Sequence, residues 1–282
     1  MEHVVRGEAG GRMIDLSDLV DAALLGGREV MRVYAEGFET RRKADDTPVT
    51  EADHASERVV VDALARIAPG VPVVAEEAAS EGRVPDHAER FILLDPLDGT
   101  REFCQRSGEF TVNIGLVENG VPVAGVILAP ALGLLYAGRL GEGAFRAAVD
   151  ADGVAGAPEP IATRRAPSAL VVAASRSHGV EAASAFAARL CVDRFLQRGS
   201  SLKYGLVAEG TADLYPRFGR TMEWDTAAGE AILAAAGGGV SRLDGSRLGY
   251  GKRGRSDAID FANPDFLAYG DPALVARLCE AG

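Results

Sequence analysis

Apolar residues recur at Leu16, Val20, Leu24, Met31, Tyr34 and Phe38, with Ala23 and Gly27 as small fillers, and this spacing predicts one buried face of a helix from Leu16 to Phe38. Residues 1 to about 12 show no such period and read as a loose tail. "RRKADDTPVTEAD" is a polar, proline-containing loop that leads into a second helical stretch, "EADHASERVVVDALARIA", closed by Pro69-Gly70. "VPVVAEE" and "RFILLDP" are short apolar runs ending in acids, the pattern of buried strands. From Glu109 to Arg146, apolar residues alternate with Asn-Gly and Gly turns, which predicts a β-meander.

A Gly, Ala and Pro-rich stretch from Ala148 to Ser168 is the best boundary between two halves, residues 14–150 and 160–282, behind a tail of residues 1–13. The first half reads as α+β. The second alternates strand "ALVVAAS", helix "GVEAASAFAARL", a short strand near Arg194 to Gln197, helix "SLKYGLVAEG", strand "ADLYPRF" and helix "DTAAGEAILAAAGG". That order predicts a layered α/β unit.

Composition narrows the functional classes. With 47% hydrophobic and 25% charged residues the chain is of ordinary globular type, and it has no apolar run of the ~18 residues a membrane span needs. A formal net charge of −11 argues against a nucleic-acid polymer as partner, because backbone binding needs a basic face. Three widely spaced cysteines (Cys104, Cys191, Cys279) read as reduced thiols of a cytosolic protein and suggest neither a disulfide framework nor a zinc site.

The informative chemistry is acidic. Asp53 in "TEAD", Glu76-Glu77 after "VPVVA", Asp95 and Asp98 in "DPLDGT", and Asp225 in "EWDTAAGEA" all stand at element ends. Carboxylates at the end of a buried strand are costly unless a cation meets them. Mg²⁺ takes oxygen ligands and shares them with substrate phosphates, and the carbonyl of Leu97, between the two aspartates, adds another oxygen. Gly99 lets the backbone approach closely, and the Gly99 and Thr100 amides could donate to a phosphate if a helix begins there. The spacing suits a two-metal phosphoryl-transfer site. Each motif taken singly has a plainer reading: Thr50-x-x-Asp53 is also a capping box, Asp225 a natural N-cap, Glu76-Glu77 a solvated strand end, and "DPLDGT" an ordinary turn. Their joint occurrence favours the metal site.

These motifs, Glu76-Glu77, Asp95-Pro96-Leu97-Asp98-Gly99-Thr100 and Trp224-Asp225-x-x-Ala228-Gly229, resemble the signatures of the inositol-monophosphatase-like superfamily of Mg²⁺-dependent, lithium-sensitive phosphatases. With "PVTEAD", "DPLDGTREF", "GEFTVNIGLV", "SRSH", "GSSLK", "LVAEGTADLYPRFG" and "WDTAAGEA", the chain looks more narrowly like the bacterial CysQ-type 3′(2′),5′-bisphosphate nucleotidases, over about residues 14 to 270. The resemblance implies a layered αβαβα, sugar-phosphatase-type fold with the active site between the halves. It implies that Glu76, Asp95 and the Leu97 carbonyl hold one Mg²⁺, that Asp95, Asp98 and Asp225 hold a second, and that Glu76 helps with a third through water. Asp53 and Thr100 would orient and deprotonate the attacking water. Ser175 and His178 would lie near the adenosine, and Ser200, Lys203 and Arg217 near the base and the non-reacting phosphate. Lys and Arg there make chemical sense, since metals at one end cannot neutralise a dianion at the other. Trp224 is expected to pack and fix Asp225 in position.

The expected reaction is hydrolysis of the 3′-phosphate of adenosine 3′,5′-bisphosphate to AMP and phosphate, in the recycling of that by-product of sulfate activation. The protein is expected in the cytoplasm, as a monomer or homodimer; peripheral attachment to the inner membrane, as in some relatives, stays open and no basic amphipathic helix here supports it. The rivals are inositol monophosphatase or fructose-1,6-bisphosphatase activity on the same metal site, and a non-catalytic regulatory homologue. "SRSH" and "LYPRFG" count against the first two, and the complete ligand set against the third.

Overall fold

In the computed structural model, which describes residues 14–43, 47–87, 89–175, 180–256 and 258–275, helix α1 (Leu16–Glu36) buries Leu19, Val20, Ala22, Ala23, Leu24, Val30 and Val33 along one face. Leu16, Met31, Tyr34 and Phe38 pack at the margin of that face. A two-stranded hairpin, β1 (Arg41–Arg42) with β2 (Pro48–Val49), precedes α2 (Glu51–Ile67), which lies against α1. The tail, residues 1–13, falls outside the described residues.

Next come β3 (Val73–Ala75), α3 (Glu76–Ser80), β4 (Arg90–Asp98), α4 (Thr100–Cys104), β5 (Thr111–Glu118), β6 (Val121–Ala129), β7 (Leu134–Arg139), β8 (Gly143–Ala148) and β9 (Glu159–Ile161). Strands β3 to β9 form one seven-stranded sheet in sequential order, antiparallel except for the parallel pair β3–β4. The meander predicted between Glu109 and Arg146 is therefore present. Glu76-Glu77 differ from the strand-end reading, because they open a short helix. The stretch after Ala148 differs too: it contributes β9 to the first sheet.

The remainder is β10 (Leu170–Ala174), α5 (Val180–Ala187), β11 (Val192–Gln197), α6 (Leu202–Ala208), β12 (Leu214–Arg217), β13 (Thr221–Met222), α7 (Glu223–Ala235), β14 (Gly239–Arg242), β15 (Ala262–Asn263) and β16 (Phe266–Tyr269). A five-stranded sheet runs β11-β10-β12-β16-β14, with β10 parallel to β11 and β12 and with β16 antiparallel to β12 and β14. The antiparallel β14 and β16 were not legible as a continuation of the βα alternation.

Strand β4 explains the stacking of layers. Ile92 and Leu94 face the cluster formed with α1 and α2, whereas Phe91 and Leu93 face a second cluster with α6, α7 and the five-stranded sheet. A strand covered on both faces reads as an unbroken apolar run, as "FILL" does. Tyr204 of α6 packs against Tyr215 and Phe266 of the second sheet, 5.4 and 6.3 Å between ring centroids. The outer face of that sheet, Leu170, Val172, Leu214 and Leu267, meets Phe186 of α5. The order is thus α1/α2, sheet, α6/α7, sheet, α5: the αβαβα layering expected.

Helix α7 lies directly on the first sheet because Gly125 of β6 has no side chain: a Cβ there would meet the backbone of Ala228, 2.7 Å from its Cα. Gly125→Ala must push α7 and with it Asp225 outwards. We expect about 1–3 kcal/mol of destabilisation, the usual range for an overpacked core, seen as a lowered Tm.

Candidate active site

The two aspartates of "DPLDGT" stand three residues apart, which in a regular strand would send them to opposite faces. The β4–β5 register resolves this: Asp95 is opposite Asn113 and Asp98 opposite Thr111, so three steps on β4 match two on β5. The bulge at Pro96-Leu97 changes the parity and lets both acids reach one cavity. The Pro96 carbonyl accepts from Ser56 Oγ at 3.0 Å and Asp95 Oδ1 from the Leu97 amide at 3.0 Å. Gly99 then turns the chain with φ +89°, a conformation that would strain any side chain, and α4 begins at Thr100.

Asp53 serves two of the sequence readings at once. Its Oδ2 accepts from the Thr50 amide at 2.7 Å and from Thr50 Oγ1 at 2.8 Å, closing the capping box of α2. Its Oδ1 accepts from Thr100 Oγ1 at 3.1 Å, across 47 residues of chain. Asp225 also differs from its plainer reading: it sits one turn inside α7, accepting from the Met222 amide at 2.8 Å, and is not the N-cap. Glu223, buried at the start of α7, accepts from the Gly251 and Lys252 amides at 2.6 and 3.0 Å, and this fixes the helix that carries Asp225.

Glu76, Asp95, Asp98 and Asp225 line one cavity of about 940 Å³, together with Leu97, Gly99, Thr100, Ser175, Ser200, Lys203 and Arg217. Burial first, then the charges of Glu76, Asp98 and Asp225, push the Asp95 carboxyl well above its ordinary range. Asp225 is raised likewise, by burial and then by Asp98 and Glu76. Asp53 rises to about 6, chiefly through burial, with the bonds from Thr50 working against the shift.

Several residues that sequence reasoning passed over complete the site. Lys43 Nζ donates to Glu76 Oε1 and Glu77 Oε1, each at 2.7 Å. Burial opposes its charge, but the two glutamates outweigh it and hold the ammonium above its usual pKa. Its signal was weak, a lone lysine in the polar loop "RRKADDTPVTEAD". Ser201 Oγ donates to Asp98 Oδ2 at 2.9 Å and accepts from Asn113 Nδ2 at 3.0 Å, while Thr111 donates to Asn113 Oδ1 at 2.8 Å.

Two residues expected on the nucleotide point elsewhere. Ser200, with φ +52°, donates from Oγ to Asp98 Oδ2 at 2.6 Å. Lys203 is buried and gives Nζ to the carbonyls of Ser200 and Arg198, and burial pushes its pKa down to about 8. Both still line the cavity. Arg217 donates to the Arg220 carbonyl at 3.4 Å, and its buried Nε has no hydrogen-bond partner. Ser175 lies at the cavity wall just beyond β10, and His178 falls outside the described residues. Trp224 packs on Phe261, 5.8 Å between ring centroids, and also lines the cavity.

The donor set is all oxygen and strongly anionic, which fits a hard divalent ion. Among the described residues no three His, Cys, Asp or Glu side chains already form a closed ligand array. Lys43 supplies the only ammonium seen on Glu76 and Glu77 among the described contacts.

Comparison with known proteins bears on all of this. The family model described as "Inositol monophosphatase family" matches residues 7–273. A 3′(2′),5′-bisphosphate nucleotidase CysQ of Salmonella typhimurium is 43% identical over 253 residues, which span 89% of this chain and 98% of that protein. The CysQ of Buchnera aphidicola is 38% identical over 255 residues, 90% and 92% of the respective chains. Among solved structures, CysQ of Bacteroides thetaiotaomicron, a bacterial member of the inositol monophosphatase family, superposes with a TM-score of 0.71 at 35% identity, over 90% of this chain and 96% of that one. An IMPase of Thermotoga maritima reaches a TM-score of 0.75 at 24% identity, over 95% and 96% of the two chains, a likeness of fold alone. No helix among the described residues is long and apolar enough to cross a membrane.

Proposed function

The chain belongs to the inositol monophosphatase family, and from that premise we propose that it is a metal-dependent 3′(2′),5′-bisphosphate nucleotidase that hydrolyses the 3′-phosphate of adenosine 3′,5′-bisphosphate, giving AMP and phosphate. The observation that carries the chemistry is the Thr100–Asp53 hydrogen bond beside the buried acids. The substrate is supported by the identity to CysQ proteins over nearly their whole length. The expected setting is the cytoplasm and the disposal of a by-product of sulfate activation.

Glu76, Asp95, the Leu97 carbonyl, Asp98 and Asp225 would hold two to three Mg²⁺ ions. When bound, such ions polarise the phosphate and lower the pKa of the attacking water. The chain's own part is orientation and proton transfer. Because Thr100 Oγ1 donates to Asp53 Oδ1, its lone pairs are free to accept a proton from water, which passes on to the carboxylate. Water oxygen attacks phosphorus, the bond to the 3′ oxygen breaks, and that oxygen takes a proton from solvent water, while Asp53 later returns its proton to solvent. The buried Asp53, with a pKa of about 6 in the metal-free chain, is tuned to accept a proton near neutral pH.

Arg217 lines the same cavity, with a buried Nε that has no hydrogen-bond partner, and the second phosphate of the substrate would need such a cation. Arg217→Ala should raise KM for adenosine 3′,5′-bisphosphate by roughly 10–100-fold, the value of a charge-assisted bond of about 1.5–3 kcal/mol. It should leave inositol 1-phosphate nearly unaffected, and equal losses on both would make Arg217 structural. The primary test measures phosphate release from adenosine 3′,5′-bisphosphate, inositol 1-phosphate and fructose 1,6-bisphosphate, each with Mg²⁺ and with EDTA. Nucleotide preference that EDTA abolishes is the expected result. Preference for a sugar phosphate would keep the metal site and overturn the substrate.

A further inference from the structure

Helix α2 carries a second buried carboxylate one turn beyond Asp53, and we propose that this residue, Glu57, is a positioning residue that sets the metal ligand Glu76. The inference rests on the metal-site reading above. α3 has only five residues, and its N-cap, Ala75, has no side chain able to satisfy the first amides. Glu57 does so from across the gap. Its Oε2 accepts from the Glu77 amide at 2.8 Å and its Oε1 from the Ala78 amide at 3.0 Å. Glu76 is the first residue of that turn, so its backbone is tied directly to the group Glu57 holds.

The arrangement is chemically costly, which points to a role. Glu57 is only 9% exposed, and burial raises its pKa, with the two amides pulling the other way. A further carboxylate is thereby kept next to Glu76 and Glu77, in a region already crowded with negative charge. A buried carboxylate there is tolerated because two charge-assisted bonds satisfy it, one per oxygen. A glutamine carries an oxygen at only one of the two positions; its amide nitrogen would face the other N–H donor and turn α3 away.

Spacing adds a second consequence. Asp53 and Glu57 are four residues apart and share one face of α2, so a single rigid helix fixes the proton acceptor at Thr100 and the first turn of α3. The residue that receives the proton and the residue that ligates metal are held in one frame. The sequence shows the spacing in "TEADHASE", but nothing in it says that the glutamate meets a helix twenty residues on.

The experiment is Mg²⁺ binding to the substrate-free chain by isothermal titration calorimetry, for the wild type, Glu57→Gln and Glu57→Asp, with Tm and circular dichroism on each. We expect both variants to bind Mg²⁺ about 10-fold more weakly or worse, as loss of an outer-shell partner does, with KM for the bisphosphate unchanged at saturating Mg²⁺. Glu57→Asp keeps the charge but is too short to span both amides. If it binds Mg²⁺ like the wild type while Glu57→Gln does not, Glu57 acts through charge and the positioning role is overturned. Wild-type affinity in both variants overturns it as well, including the case in which only Tm falls. If Glu57→Gln does not fold, Glu57→Asp decides alone. A wild-type chain that binds no Mg²⁺ would instead sink the metal-site reading from which the inference starts.

Discussion

Replacing Asp95 by asparagine will abolish Mg²⁺-dependent phosphate release while making the metal-free protein more stable. The first effect follows from position. Asp95 is 1% exposed at the centre of the acidic cluster, and Glu76, Asp98 and Asp225 all act on it electrostatically. It is the residue expected to serve two metals at once. Metal-ion catalysis contributes several kcal/mol of transition-state stabilisation, so at 1.36 kcal/mol per decade turnover should fall by about 10³-fold or more. The geometry should survive, because asparagine keeps the oxygen that accepts from the Leu97 amide.

The second effect follows from linkage. A carboxyl whose pKa folding raises is held in its protonated form, so the folded state binds protons more tightly than the unfolded one. The stability of the metal-free wild type is therefore full below the ordinary carboxylate range. It is lost as pH rises through the raised values, about 6 for Asp53 and about 8 for Asp225, with Asp95 raised in the same direction. Removing the central carboxyl should raise Tm at pH 8 and flatten that pH dependence. Melting curves in EDTA from pH 5 to 8 check this. A variant less stable than the wild type at pH 8, or one that keeps near-normal turnover, would show that Asp95 is not the central metal ligand.

Asp53→Asn should separate the proton acceptor from the metal site. General-base catalysis contributes typically 10²–10⁴-fold, so kcat should fall within that range, and Mg²⁺ affinity should stay close to that of the wild type. The structural cost is small because asparagine can turn its oxygen to the Thr50 amide and hydroxyl, retaining the cap, and its nitrogen to Thr100. The released Thr100 hydroxyl then has the Leu97 carbonyl, 3.3 Å away, as an acceptor. The kcat profile of the wild type should decline on its acid side as Asp53 takes up a proton, and that limb should be missing in the variant. Thr100→Ala should cost a similar factor, and the double variant no more than the worse single one, since the two act as a unit. Additive losses would mean that Asp53 and Thr100 work separately.

Much of the candidate site was legible because a buried acid such as Asp95 is expensive. Acids after "FILL", a pair of glutamates after "VPVVA" and an aspartate at a helix start each have a plain reading singly, and their joint occurrence at element ends pointed to hard-metal chemistry. The helical period of α1, the meander and the βα alternation were legible for a related reason: each element must bury one face, and periodicity records which. What the sequence left open is whatever depends on a partner distant in the chain. The bulge opposite Asn113 decides that Asp95 and Asp98 share a cavity. The loop before α6 gives the Ser200 hydroxyl, expected on the nucleotide, to Asp98. The buried environment of Lys203 turns it towards two carbonyls. Asp53 shows the division most clearly. Its neighbours in sequence make it a helix cap, and only the fold, by bringing Thr100 across 47 residues, gives the same carboxylate the hydrogen bond on which the proposed proton transfer rests.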